Sequence, residues 1–368
     1  MAEIDRRTFV AAGAAALASA AATPGVAAGP AAMPAWTKLP TEPFAGKQDD
    51  VFFVDRMTGW YGNNRGKLFG TVDGGATWTK LLDRPGLGVR ALGFLDAKTG
   101  FLGNIGTDYA PHVTDPTPLW RTDDGGKTWA PIEIAEGPAP KGICAIDIHR
   151  ASYVNFGERG ERIAVRAGGR VGGPAFLAES LDGGRTWRSR DMSELTGAIL
   201  DIRFLDANVG FIAGSSASDL ANSRARILRT TDGGRRWKVV YESKRTAELI
   251  WKLSFPTGRV GYGTVQNYDQ DPAVVQRWVA RTSDGGRTWR ELPILKEKAF
   301  QQFGVGFVDD RRGWIGGSTG GVETLDGGRN WRRVDMGLAV NKIRVVSDRS
   351  GTSVFALGRD LHRLDLPA

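Results

Sequence analysis

One eight-residue phrase is written six times along this 368-residue chain, and its spacing limits what the chain can fold into. The copies are Thr71-Val-Asp-Gly-Gly-Ala-Thr-Trp78, Thr122-Asp-Asp-Gly-Gly-Lys-Thr-Trp129 and Ser180-Leu-Asp-Gly-Gly-Arg-Thr-Trp187. They continue as Thr230-Thr-Asp-Gly-Gly-Arg-Arg-Trp237, Thr282-Ser-Asp-Gly-Gly-Arg-Thr-Trp289 and Thr324-Leu-Asp-Gly-Gly-Arg-Asn-Trp331. The tryptophans are 51, 58, 50, 52 and 42 residues apart. A unit of that length cannot bury its own apolar face and must stack on a neighbour, so the period predicts an array of similar modules.

Asp-Gly between two alternating apolar runs is a hairpin signal, because glycine takes the positive φ that a tight turn needs. The carboxylates of Asp73, Asp124, Asp182, Asp232, Asp284 and Asp326 are placed to cap amides of their own turns. Trp78, Trp129, Trp187, Trp237, Trp289 and Trp331 then open the next strand and cover the turn. The phrase is the Asp-box, or BNR repeat, and its role here reads as structural. Arg236 and Asn330 replace the usual threonine in two copies, whose turns are expected to survive.

A second pattern precedes the first: Phe53-Val-Asp-Arg-Met-Thr-Gly-Trp60, Phe94-Leu-Asp-Ala-Lys-Thr-Gly-Phe101, Phe204-Leu-Asp-Ala-Asn-Val-Gly-Phe211 and Phe307-Val-Asp-Asp-Arg-Arg-Gly-Trp314. Phe255-Pro-Thr-Gly-Arg-Val-Gly-Tyr262 is a looser copy. Period-two apolar alternation leads into each, as in Val51/Phe53 and Val305/Phe307. Every unit thus reads as four strands, which at this period is a propeller blade. The third unit is degenerate, with Ile146 and Ile148 in its first strand and Glu161–Ala167 as its second. After the sixth phrase, Lys342–Asp348, Thr352–Leu357 and Asp360–Leu366 supply three more strands. Trp36-Thr-Lys-Leu-Pro40 matches Trp78-Thr-Lys-Leu and supplies the fourth. The expected fold is all-β: a seven-bladed β-propeller over residues 33–368, its ring closed by an N-terminal strand that removes two sheet edges.

Residues 1–32 read as a leader with an uncertain cleavage site. Arg6 and Arg7, followed by Phe9 and a mild, alanine-rich apolar stretch, read as a twin-arginine export signal, the alternatives being an ordinary secretory leader or a disordered alanine-rich tail. The expected location is the periplasm, or the lumen in an organism with thylakoids. Cys144 is alone, so no intramolecular disulfide forms there, and it sits in an apolar strand where it should be buried and inert. The repeats contain no membrane-length apolar run. A soluble monomer is expected after cleavage.

The formal charge is +8, with arginine pairs at Arg224/Arg226, Arg235/Arg236, Arg311/Arg312 and Arg332/Arg333. Such a surface is either simply solvated or an electropositive face for an acidic protein, an anionic headgroup or a polyanionic sugar. Nucleic acid fits poorly with an exported chain that has no recognisable binding module. In propeller geometry the Asp-boxes lie on one face and the connections between second and third strands on the other. Three of those connections are long: Asn104–Leu119 with Asp108, Tyr109, His112 and Asp115; Ser215–Arg226; and Thr264–Arg277 with Asn267, Tyr268, Asp269 and Asp271. Insertions gathered on one face build the binding surface of a repeat protein. Three histidines, His112, His149 and His362, have no metal-site spacing, and no nucleophile elbow or phosphate loop occurs. No metal or cofactor is expected.

The paired motifs, recurring blade by blade over about residues 36–366, resemble the photosystem II stability and assembly factor family. That resemblance implies a seven-bladed propeller, exported to the thylakoid lumen or periplasm, acting as a non-enzymatic scaffold for a protein or membrane-complex partner through an arginine-rich surface. Many relatives belong to bacteria without photosystems. The rival reading is a carbohydrate-binding or glycosidase-like propeller, with Asp108 or Asp115 facing Asp269 or Asp271 across a cleft. Against it, the sialidase Arg-Ile-Pro motif is absent, and Asp-box xyloglucan hydrolases need two propellers.

Overall fold

The computed structural model describes residues 34–155, 158–170 and 172–367. The export motif at Arg6 and Arg7 lies outside the described residues. Those described form seven four-stranded antiparallel sheets and no helix. The innermost strands of blades 1 to 7 are Asp50–Phe53, Val89–Phe94, Ala145–Asn155, Ala198–Phe204, Glu248–Ser254, Gln302–Phe307 and Lys342–Asp348. Six blades are continuous in sequence. The seventh takes its outermost strand from Thr37–Lys38, paired with Leu361–Leu366.

The recurring Phe-to-Gly-aromatic pattern has one steric cause. Phe53, Phe94, Phe204 and Phe307 each sit directly across the strand pair from a glycine: Gly59, Gly100, Gly210 and Gly313. A Cβ on any of these glycines would lie 2.3–2.5 Å from the phenylalanine ring. The bare glycine lets the ring lie flat against its own blade. Its other side then meets the aromatic of the preceding blade: Phe355 on Phe53 at 3.7 Å, Trp60 on Phe94 at 3.5 Å, Tyr262 on Phe307 at 3.6 Å and Phe211 on Phe255 at 4.5 Å between centroids. The motif's Asp closes the first turn, as Asp55 accepts the amides of Met57 and Thr58 at 2.8 and 2.6 Å. In the looser copy Thr257 Oγ1 does the same for Arg259 and Val260.

The degenerate third blade keeps this joint by substitution. Arg166 pairs across the sheet with Glu179, as Phe101 pairs with Arg121 one blade earlier, so an arginine occupies the aromatic position. Its guanidinium lies 3.5 Å from the centroid of Phe204 and is held by Glu179 at 2.8 Å. This blade's first hairpin is also longer than expected. Ala145–Asn155 pairs with Glu158–Gly169 throughout, not only over Glu161–Ala167.

The six Asp-Gly-Gly turns are built alike, and longer than a two-residue hairpin: Val72 to Trp78 separate strands Lys67–Thr71 and Thr79–Asp83. Both glycines take positive φ, 73° and 91° at Gly74 and Gly75. Asp73 accepts the Thr77 hydroxyl at 2.5 Å and its amide at 2.9 Å, while Thr71 Oγ1 accepts the Gly75 amide. The two departures survive for separate reasons. Asn330 donates its Nδ2 to Asp326 in place of the threonine hydroxyl, and Arg236 gives Asp232 its amide together with a guanidinium 4.0 Å from Oδ2. These donors hold the carboxylates low: Asp124 falls to about 2, chiefly through the Thr128 hydroxyl, and Asp326 to about 2, chiefly through the Asn330 amide.

Two outcomes follow from this architecture. An unfolded aspartate titrates near ~4, so the Asp124 and Asp326 turns contribute fully above about pH 4 and lose that contribution as pH falls through ~2. Asp326→Asn should therefore lower stability to urea at pH 7 and roughly half as much at pH 3; an equal loss at both would exclude the carboxylate's role. For ring closure, the buried anchor of the N-terminal strand is Leu39, 7 % exposed among Val51, Phe53 and Phe355, while half-buried Trp36 packs edge-on against Trp314. Leu39→Ala should cost about 2–3 kcal/mol. A chain beginning at Gly46 should melt well below one beginning at Ala35 and self-associate through its bare edge. Equal melting temperatures and monomer fractions would show that closure does not depend on this strand.

Candidate functional site

The Asp-Gly-Gly turns share their face with the first hairpins of each blade, since Gly74, Gly125, Gly233, Gly285 and Gly327 donate their amides to Met57, Lys98, Asn208, Arg259 and Arg311. The long insertions of blades 2, 4 and 5 lie on the opposite face. Every inner strand starts at the insertion face and ends at the turn face, so the two halves of the central channel are lined by different residues.

At the insertion face the channel is filled by an apolar plug. Cys144, Ala198, Leu200, Leu249 and Trp251 come from inner strands of blades 3 to 5 or just before them, and Ile105 and Val113 from the blade 2 insertion. Leu220 and Tyr268 add the blade 4 and 5 insertions, with Phe303 of blade 6 edge-on to Trp251 at 5.5 Å. Cys144 is 2 % exposed, as its apolar strand implied. Around the plug lies a buried ionic group: Asp49 binds Arg90 at 2.8 Å and Lys47 at 2.6 Å, and Arg90 lies over Trp251.

Above the plug, insertions that are distant in sequence meet. Burial pushes the Tyr268 phenol up to about 12, and neighbouring Tyr109 adds to the effect. Tyr109 is 46 % exposed and has Arg170 beside its ring. Desolvation raises its phenol, against the pull of Arg90 and Arg170. Arg170, buried, binds the half-exposed carboxylate of Asp108 at 2.5 Å. Asp108, Tyr109 and Tyr268 are thus brought together over the channel mouth.

The other sequence-selected residues hold loops. His112 Nε2 contacts the Asn64 carbonyl at 2.9 Å, tying blade 2 to blade 1. Asp115 pairs with Arg84 at 2.8 Å and accepts the Thr117 amide. Buried Asn267 donates to Glu248 and accepts the Asp269 amide; Asp269 accepts that of Asp271, and Asp271 that of Ala273. Arg224 and Arg226 both bind Glu242, and Arg226 also reaches the Leu195 carbonyl. Among the described residues, no group of three His, Cys, Asp or Glu side chains is placed to hold a metal.

The arginine surplus has a use that sequence reasoning missed. Arg121 donates to the Gly184 carbonyl at 3.0 Å, Arg229 to Gly285 at 3.0 Å and Arg363 to Gly74 at 2.9 Å, each reaching the Asp-Gly-Gly turn of the next blade. Arg166 and Arg190 do the same for Gly233 and Gly234. Trp60 Nε1 serves Gly125, and the Tyr262 hydroxyl serves Gly327. The signal in the sequence was the arginine directly before Thr122 and Thr230, at fixed register to the turn; Arg281, before Thr282, donates instead to the Tyr262 hydroxyl.

With seven four-stranded blades and a channel at their centre, the class is the seven-bladed propeller. No protein-family model matches the chain, and no curated protein matches it. Solved structures do. A YCF48 bound to a D1 peptide is 19 % identical with a TM-score of 0.58, covering 91 % of this chain and 98 % of its own. YCF48 from Cyanidioschyzon merolae is 17 % identical with a TM-score of 0.60, covering 90 % and 98 %. A GH74 enzyme from Niastella koreensis is 17 % identical with a TM-score of 0.57 over 82 % of this chain, which spans about half of that enzyme's length, 49 %. At these identities the likeness is one of fold.

Proposed function

We propose that this chain is an exported, non-catalytic propeller that holds a polypeptide partner on its insertion face, in the manner of a photosystem II assembly factor. The observation that carries this reading is the convergence of the blade 2 and blade 5 insertions over a filled channel. Tyr109, Asp108 and Arg170 there offer an exposed ring beside a buried guanidinium and a half-exposed carboxylate. A plugged mouth bearing an exposed amphipathic aromatic suits a protein surface better than a small substrate, since aromatic anchors dominate such interfaces. A propeller of the same fold has been solved with a bound peptide. The sequence resemblance supports the same assignment.

Affinity capture from membranes facing the export compartment, with the leaderless protein as bait, should recover a defined partner. Tyr109→Ala should weaken that capture by about tenfold or more, the usual effect of removing an interface hot spot, while leaving the melting temperature within a degree or two of the parent. Capture unaffected by Tyr109→Ala would move the interface elsewhere. Turnover of aryl glycosides lost in Asp115→Asn or Asp269→Asn would replace this reading with the glycosidase one.

Export through the twin-arginine route is part of the proposal, and it rests on Arg6-Arg7-Thr-Phe9 before an alanine-rich stretch. A route for folded proteins suits a closed ring whose last blade needs both chain ends. Arg6→Lys with Arg7→Lys should leave the precursor uncleaved in the cytoplasm. Unchanged periplasmic delivery of that double variant would refute the route.

A further inference from the structure

Behind the apolar plug, the half of the channel on the turn face is a cavity of about 360 Å³. Its lining includes Arg203, Lys252, Lys342 and Arg344 against Asp201, with Asp50 and Asp147 in the walls. Each of the three carboxylates spends one oxygen on an amide of another blade's inner strand. Asp50 Oδ2 accepts Leu92 at 2.8 Å, Asp147 Oδ2 accepts Phe204 at 3.1 Å and Asp201 Oδ2 accepts Leu253 at 2.8 Å. The second oxygens face the cations, mostly at long range. Asp50 Oδ1 is 3.1 Å from Lys342 but 4.0 Å from Arg344, Asp147 Oδ1 is 3.9 Å from Arg203 and Asp201 Oδ1 is 3.7 Å from Lys252. Four basic side chains therefore share three carboxylates that are already committed to holding blades together, so the pocket carries one excess positive charge whenever Lys342 is protonated.

We propose that this half-channel binds a small organic carboxylate, its charged group between Arg203 and Arg344 and its apolar body against the inner-strand walls. The volume is at the lower end of the range of about 300–1,000 Å³ for small-molecule sites. Planar guanidinium forks match a carboxylate, and desolvated cations give an anion more than a water-exposed patch would. Arg203 is 44 % exposed and stands as the entry residue, while Lys252 and Lys342 are 9 % and 8 % exposed. The site is separate from the polypeptide face, at the other end of the channel.

Lys342 makes the binding event readable. Burial first, then like charge from Arg344 and Lys252, lowers its ammonium to about 7 against the opposing pull of Asp50 and Asp201. Its titration is thereby brought into the neutral range, where the amine can take up a proton. An anion arriving beside it stabilises the ammonium, so binding is coupled to proton uptake.

The probes are benzoate and succinate, titrated calorimetrically into the leaderless protein at pH 7.5 in two buffers of different ionisation enthalpy, with inorganic phosphate as comparison. The expected result is saturable binding at one site with net proton uptake of up to one per ligand. Arg203→Gln should weaken it by about ten- to a hundredfold, as loss of a charge-assisted hydrogen bond does. Lys342→Met should abolish the proton uptake. Should Lys342→Met fail to fold, Arg203→Gln, at the rim, still decides the matter. No saturable binding of either carboxylate, or binding unchanged in Arg203→Gln, overturns the site, and phosphate binding tighter than both overturns the carboxylate assignment.

Discussion

A ring of seven sheets has no core of its own, and this one stands on the joint between neighbouring blades. Most joints combine two contacts of different kinds. An aromatic of one blade stacks on the phenylalanine of the next, at 3.5–3.7 Å in three cases. A donor from the earlier blade also fills a glycine carbonyl in the next blade's turn, as Arg121, Arg229 and Arg363 do. Stacking contributes about 0.5–1.5 kcal/mol beyond area burial, and a hydrogen bond about 0.5–1.5 kcal/mol net. Stability in such an array is close to a sum over neighbour interfaces, so a weak joint opens the whole ring. The repeated phrase is therefore more than a turn: its glycines present the carbonyls that the previous blade needs.

That role changes the meaning of the positive charge. Arginines that read as an electropositive surface are in good part consumed within the molecule, as blade ties or as partners of Glu179, Glu242 and Glu323. The third blade shows how interchangeable the parts are. Arg166 takes the aromatic position and still satisfies both halves of the joint, stacking on Phe204 and donating to Gly233. A guanidinium does both because it is flat and carries several donors.

The same economy divides the molecule functionally. Inner-strand carboxylates cap amides across blade boundaries on the turn side, and that keeps charge in the channel there. On the opposite side insertions from three blades bring apolar residues that fill the channel. One axis thus carries a plugged face at one end and a charged pocket at the other.

The sequence alone determined the blade count, the four-strand unit and the closing strand, because each rests on local chemistry repeated at fixed spacing. Gly59 beneath Phe53 and Asp73 beside Thr77 are contacts between near neighbours in the chain, so their pattern is visible without a fold. The site was legible only as a set of long insertions. Which of their residues would be spent on loop closure, as Asp115 and Asp269 are, depends on partners that the fold supplies. Tyr109 and Tyr268 lie three blades apart in sequence and meet only because the ring brings both loops over one channel. Only the tertiary structure could pair Asp50 with Lys342, since blades 1 and 7 become neighbours when the ring closes.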